Sequence, residues 1–214
     1  MAARGPRRAR SAGRLTVPGD WTRYYEATGT EPRPTLLEAL RRFDEEGRRE
    51  RFAVDLGCGT GRDTVELLRR EWKVLALDGT DGAIERLLAR DDLSGDDRRR
   101  LETRVSRFEN AEWPAADLVN SSFALPFCPP GDFPALWERI ERSLRPGGRF
   151  SGHLFGDRDG WSDEDDMTFH SRAEVDGLLA RFEVELLDEV EEDGETAVGA
   201  EKHWHLFHVV ARRR

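Results

Sequence analysis

The chain has 214 residues, 34 basic and 43 acidic, for a net charge of −9. That length fits one domain burying ~70% of the surface its unfolded chain exposes, and that charge argues against a broad phosphate-binding surface and a nucleic-acid partner. Cys58 and Cys128 supply neither a disulfide framework nor zinc spacing, and no apolar run nears the ~18 residues of a membrane span, as expected of a soluble, cytoplasmic protein.

Met1 to Arg14 holds five arginines and no acid. This is the composition of a disordered basic tail or, with too thin an apolar face, of a transit peptide. The remainder, 15–214, reads as one folded domain. Trp21 lies on one helical face with Tyr24 or Tyr25, and Pro34 to Phe43 reads as a helix with Leu36, Leu37 and Leu40 inward. "RFAVDLG" (51–57) reads as a strand buried on both faces. A helix follows from Arg62, with Val65 and Leu68 inward. "KVLALD" (73–78) is a second strand, and Ala83, Ile84, Leu87 and Leu88 mark a second amphipathic helix.

Leu101 to Phe108 alternates like a third strand, and "ADLVNSSF" (116–123) supplies a fourth. Phe133, Leu136, Trp137, Ile140 and Leu144 stripe a helix that "RPGGR" (145–149) stops ahead of a fifth strand, "FSGHLFG". Six of the ten residues from Asp157 to Asp166 are acidic, a solvated loop rather than a metal site. A helix over Ala173 to Ala180 and two strands, Phe182 to Leu187 and His203 to Ala211, complete the chain. Strands alternating with helices predict a Rossmann-like α/β domain. Its sheet is mostly parallel and seven-stranded, with helices on both faces and an antiparallel last strand.

In such a sheet a ligand sits beyond the carboxyl ends of the strands, where strand order reverses. Gly57, Gly59 and Gly61 in "VDLGCGTGR" fall there, and the helix after them aims free N–H groups at the same place. The dinucleotide fingerprint wants its third glycine at position 62, which is arginine, so a diphosphate and hence a nicotinamide dehydrogenase are disfavoured. Asp78 ends the second strand, where an acid can accept hydrogen bonds from two ribose hydroxyls, although it could also cap the next helix.

"AVDLGCGTGR" with "VLALD" and "LRPGG" resembles class I S-adenosylmethionine-dependent methyltransferases, over roughly Trp21 to Arg212. Within them it is similar to small bacterial enzymes of the tellurite-resistance type. The resemblance implies S-adenosylmethionine as cofactor. Asp55, Gly57, Cys58, Gly59, Gly61 and Arg62 would then hold its methionine part, Asp78 and Gly79 the ribose, and Glu109 with Asn110 the adenine. Asn120, Ser121 and Ser122 would face the methionine end, and Trp21 and Tyr25 would belong to a segment that either covers the cofactor or packs on the sheet's flank. Nucleic-acid amino methyltransferases carry two prolines after strand four where this chain has "NSSF". With the apolar loop "LPFCPPGDF" beside it, the implied acceptor is a small molecule. Methyl transfer needs a general base only if the nucleophile must lose a proton, and His153 and His170 are the candidates. Each reads first as a packed or surface histidine and only second as a base. His203 and His205 share a sheet face, but two ligands make a poor metal site, and no metal is expected. A methyltransferase-fold binding module or partner subunit without transfer activity is the alternative.

Overall fold

The computed structural model describes residues 21–47 and 51–214; the basic segment Met1 to Arg14 lies outside the described residues. Seven helices and seven strands follow in the order α1 (Trp21–Ala27), α2 (Pro34–Glu45), β1 (Phe52–Leu56), α3 (Arg62–Arg69), β2 (Lys73–Asp78), α4 (Asp81–Leu88) and α5 (Gly95–Arg100). Then come β3 (Leu101–Val105), β4 (Ala116–Ser121), α6 (Phe133–Ser143), β5 (Leu144–Phe155), α7 (Arg172–Leu178), β6 (Phe182–Glu195) and β7 (Glu201–Arg213). The strand order is β3-β2-β1-β4-β5-β7-β6. β1 pairs with both β2 and β4 in parallel, and β7 runs antiparallel between β5 and β6. The mostly parallel sheet with its antiparallel last strand is therefore as the sequence pattern predicts.

Alternation along the buried strands builds two cores. Leu75 and Leu77 face Trp137 and Ile140 of α6, whereas Val74 and Ala76 face Leu36 and Leu40 of α2 and Leu68 of α3. Burying each such side chain contributes ~1.5–3 kcal/mol. Arg149, only 2% exposed, lies over the Phe43 ring and makes a two-pronged ion pair with Glu185 and another with Glu46. It ties the end of α2 to the edge of the sheet.

Several boundaries differ from the periodicity. The third strand stops at Val105, and Phe108–Asn110 is a 3-10 turn. β5 begins at Leu144, because "RPGGR" runs on into the ladder with a register shift in its β4 pairing instead of turning away from it. α5 carries no apolar stripe to announce it, but Ser94 and Asp97 close a capping box at its start. Leu88 is exposed, one position past the inward face of α4. Gly61 sits at φ +84 directly before α3, and a Cβ there would overlap the Leu87 side chain. Close approach of α3 to α4 thus falls on position 61, one residue before the place a dinucleotide fingerprint reserves for it.

Candidate active site

At the carboxyl ends of β1, β2 and β4, where strand order reverses, lies a cavity of about 290 Å³. Leu77 fixes one edge, its carbonyl accepting from the N–H groups of Gly57 (2.8 Å) and Cys58 (3.0 Å). Next to it the Asp78 carboxylate is pre-set. Oδ2 accepts the Gly59 N–H at 2.9 Å, and Oδ1 accepts the N–H and hydroxyl of Thr80 at 3.0 and 2.8 Å. A carboxylate has about four lone-pair positions, so three bonds leave room for a further donor from the cavity. Glu109, paired with Arg107 at 3.3 Å, enters from the 3-10 turn.

The opposite wall is aromatic. α1 contributes Trp21, Tyr24 and Tyr25, and the loop after β4 contributes Phe123 and Phe127. Trp21 meets Phe127 edge-on at 5.0 Å, and the Tyr25 hydroxyl lies 3.1 Å from Thr80 Oγ1. Burial lifts the Tyr25 phenol to about 12, so it remains a neutral hydroxyl. Phe123 stands at φ +58, a backbone state that costs a bulky residue ~1–3 kcal/mol. His153 stacks on its ring at 4.0 Å and the Arg33 guanidinium lies 4.5 Å from its centroid, which together hold it there.

Beneath the cavity two buried carboxylates share one amide. Asn120 Nδ2 donates to Asp55 (2.9 Å) and to Asp63 (3.0 Å), while its oxygen accepts from Ser151 (2.7 Å). Thr64 donates to Asp55, and Ser122 and the Arg33 N–H donate to Asp63. Burial, and then the neighbouring Asp63, push the Asp55 carboxyl up to about 7. A carboxyl raised on folding holds a proton that the unfolded chain has already released. Its contribution to stability is therefore present at low pH and lost as pH rises from the ordinary carboxylate range through about 7. Asp55→Asn is expected to narrow the difference in melting temperature between pH 5 and pH 8; an unchanged difference refutes the raised Asp55 carboxyl.

Residues 53–148 match the model of a family described as a methyltransferase domain. A "Methyltransferase" of Claviceps purpurea (strain 20.1) is 31% identical over 140 residues, 64% of this chain and 41% of that one. Residues 53–148 are thus similar to a methyltransferase domain. TehB from Haemophilus influenzae superposes with a TM-score of 0.70 at 15% identity, over 85% of this chain and 62% of TehB. Magnesium protoporphyrin IX methyltransferase (ChlM) from Synechocystis PCC 6803, solved with S-adenosylhomocysteine bound, superposes with a TM-score of 0.67 at 13% identity, over 90% of this chain and 93% of that one. The chain thus spans less than half of the Claviceps relative and less than two thirds of TehB.

Of the residues singled out in the sequence, the fold brings Gly57, Gly59, Asp78, Gly79 and Glu109 around the cavity, and α1 adds Trp21 and Tyr25. Asp55, Asn120 and Ser121 lie in the layer below, with the Ser121 hydroxyl bonded to the Leu56 carbonyl at 2.9 Å. Gly61 is the helix-packing glycine. Cys58 is buried, and burial holds its thiol well above the usual range. Arg62 turns away to the Gly29 carbonyl, and Asn110 is exposed outside the lining.

Neither candidate base lines the cavity. His153 and His170 are 1% and 8% exposed, each with one unpartnered ring nitrogen, and burial lowers both, keeping them neutral. His203 and His205 pair with Asp193, Glu191 and Glu189 of β6, and no group of side chains able to hold a metal occurs among the described residues. Arg33, Asp63 and Thr80 were not singled out as site residues. Thr80 alone carried a local signal, the Gly-Thr-Asp-Gly turn after Asp78.

Proposed function

We propose that this chain binds S-adenosylmethionine and transfers its methyl group to a small molecule. The observation that carries the reading is Asp78, its carboxylate fixed by Gly59 and Thr80 at the reversal point of the sheet, within the residues similar to a methyltransferase domain. The cavity fits the cofactor on its own chemistry. Asp78 has spare acceptor capacity for ribose hydroxyls, Glu109 an oxygen for an amino group, and the α1 aromatics present faces that attract a cation. When bound, the cofactor supplies an electrophilic methyl on a sulfonium. The chain's residues then align the acceptor and exclude water, which for an in-line displacement is most of the work.

Several features favour a small acceptor. The cavity is lined by Trp21, Phe123, Phe127 and Met167, and the net charge of −9 disfavours a polyphosphate. No described helix is long and apolar enough to cross a membrane.

No residue of α1 is fully buried, so its aromatics roof the cavity without completing a core. Trp21→Ala is accordingly expected to leave the ligand-free melting temperature nearly unchanged. It should weaken S-adenosylmethionine ~2- to 30-fold, the worth of one cation–aromatic contact, and S-adenosylhomocysteine, which lacks the sulfonium charge, less. Equal loss for both ligands, or loss of stability without either, would show that the helix only packs.

Calorimetry with S-adenosylmethionine and with NAD, followed by transfer assays on thiols, phenols, amines and carboxylic acids, tests the proposal. Tight binding of the former with no transfer to any acceptor would make the chain a binding module.

A further inference from the structure

Nearly every half-buried arginine here is matched to an acid or a carbonyl. Arg42 and Arg149 bind glutamates, Arg100 an aspartate and Arg139 two carbonyls. Arg33 departs from that pattern. Its backbone N–H donates to Asp63 at 2.9 Å, but its guanidinium hydrogen-bonds to no carboxylate or carbonyl among the described residues and rests on the Phe123 ring. Asp63 attracts that guanidinium at a distance but makes no hydrogen bond to it, its donors being Asn120, Ser122 and the Arg33 backbone. Behind Phe123, burial lowers His153 and His208 and keeps them neutral, with Arg33 adding to the effect. The like charge of Arg62 lies nearby as well. The Arg33 guanidinium, with no hydrogen-bonded acid or carbonyl among the described residues, is thus kept on the ring of Phe123, which lines the cavity, in a chain of net charge −9.

We propose that Arg33 receives a carboxylate of the methyl acceptor, and that the acceptor is an aromatic acid. This rests on the methyltransferase reading. A guanidinium matches a carboxylate fork to fork, and the rings of Phe123, Phe127 and Tyr24 suit a flat apolar body attached to it. Arg33 is then a specificity residue. It selects the acceptor by charge and turns its nucleophile toward the cofactor side of the cavity, where Asp78 and Gly59 lie.

Benzoate and benzamide test this, titrated into the full chain with and without saturating S-adenosylhomocysteine. The wild-type protein should bind benzoate at least ~10-fold tighter than benzamide, the worth of a charge-assisted bond. Arg33→Met should erase the preference, leave benzamide binding unchanged and leave S-adenosylhomocysteine affinity unchanged. Should that variant misfold by circular dichroism, Arg33→Gln carries the same expectation. Equal binding of the two probes by wild type, or a preference that survives the substitution, overturns the proposal. If Arg33→Met weakens S-adenosylhomocysteine but not 5′-methylthioadenosine, which lacks the amino-acid end, the carboxylate bound is the cofactor's and the acceptor assignment falls. Failure of wild type to bind S-adenosylhomocysteine would instead sink the methyl-donor reading, and the titrations without it would still read Arg33.

Discussion

Asp78→Ala is expected to weaken S-adenosylmethionine and S-adenosylhomocysteine at least ~10-fold, because each hydrogen bond to a charged acceptor is worth ~1.5–3 kcal/mol. The loss has a second source. Asp78 also holds the Gly59 N–H and both donors of Thr80, so alanine frees the turn that shapes the cavity as well as removing the acceptor. Asp78→Asn should fall between, since its NH₂ must face donors that the carboxylate accepted. Fold stability should change little, for these groups border a cavity that water can enter. Calorimetry that finds wild-type affinity in Asp78→Ala refutes the ribose assignment.

The glycines after β1 should separate binding from folding. Gly59 stands at φ +53, and a Cβ there would lie 3.5 Å from the Tyr25 ring, in ordinary contact. Gly59→Val therefore pays ~1–3 kcal/mol of backbone strain but stays folded, with its branches in the space between the turn and α1. Binding of S-adenosylhomocysteine should vanish. Gly61→Val carries the same strain at φ +84 and also drives its side chain into Leu87, which is fully buried. Overpacking adds ~1–3 kcal/mol, so it should lose ~2–6 kcal/mol and unfold at markedly lower denaturant. Normal binding by Gly59→Val would place the ligand elsewhere. Wild-type stability in Gly61→Val would contradict the close approach of α3 and α4.

The glycine-rich turn and Asp78 were legible in the sequence because their roles are local. A strand ending in Asp-Leu-Gly must turn at once, and an acid ending the next strand must lie beside that turn. That the sheet is mostly parallel followed from the alternation of strands with helices. Arg33 gave no such signal, since what marks it is that no described acid or carbonyl hydrogen-bonds its guanidinium, a property of residues 30 to 120 positions away such as Asp63, Phe123 and His153. Asp63 reads as an ordinary first-turn acid of α3, and only the fold brings it to Asn120. His153 looked like a base because periodicity reports which face a residue takes and not whether a ring such as Phe123 covers it.

The hydrogen bond from α1 to the body, Tyr25 to Thr80, has a consequence for the timing of turnover. Thr80 also binds Asp78, so one hydroxyl links α1 to the acid at the cavity's edge, and on the proposed function a ligand seated there would be released faster once α1 lifts. With no side chain of α1 fully buried, lifting breaks one hydroxyl bond and a few ring contacts and leaves the sheet intact. If that helix covers the spent nucleoside, a seven-residue element would set its residence, and two successive reactions would share one gate.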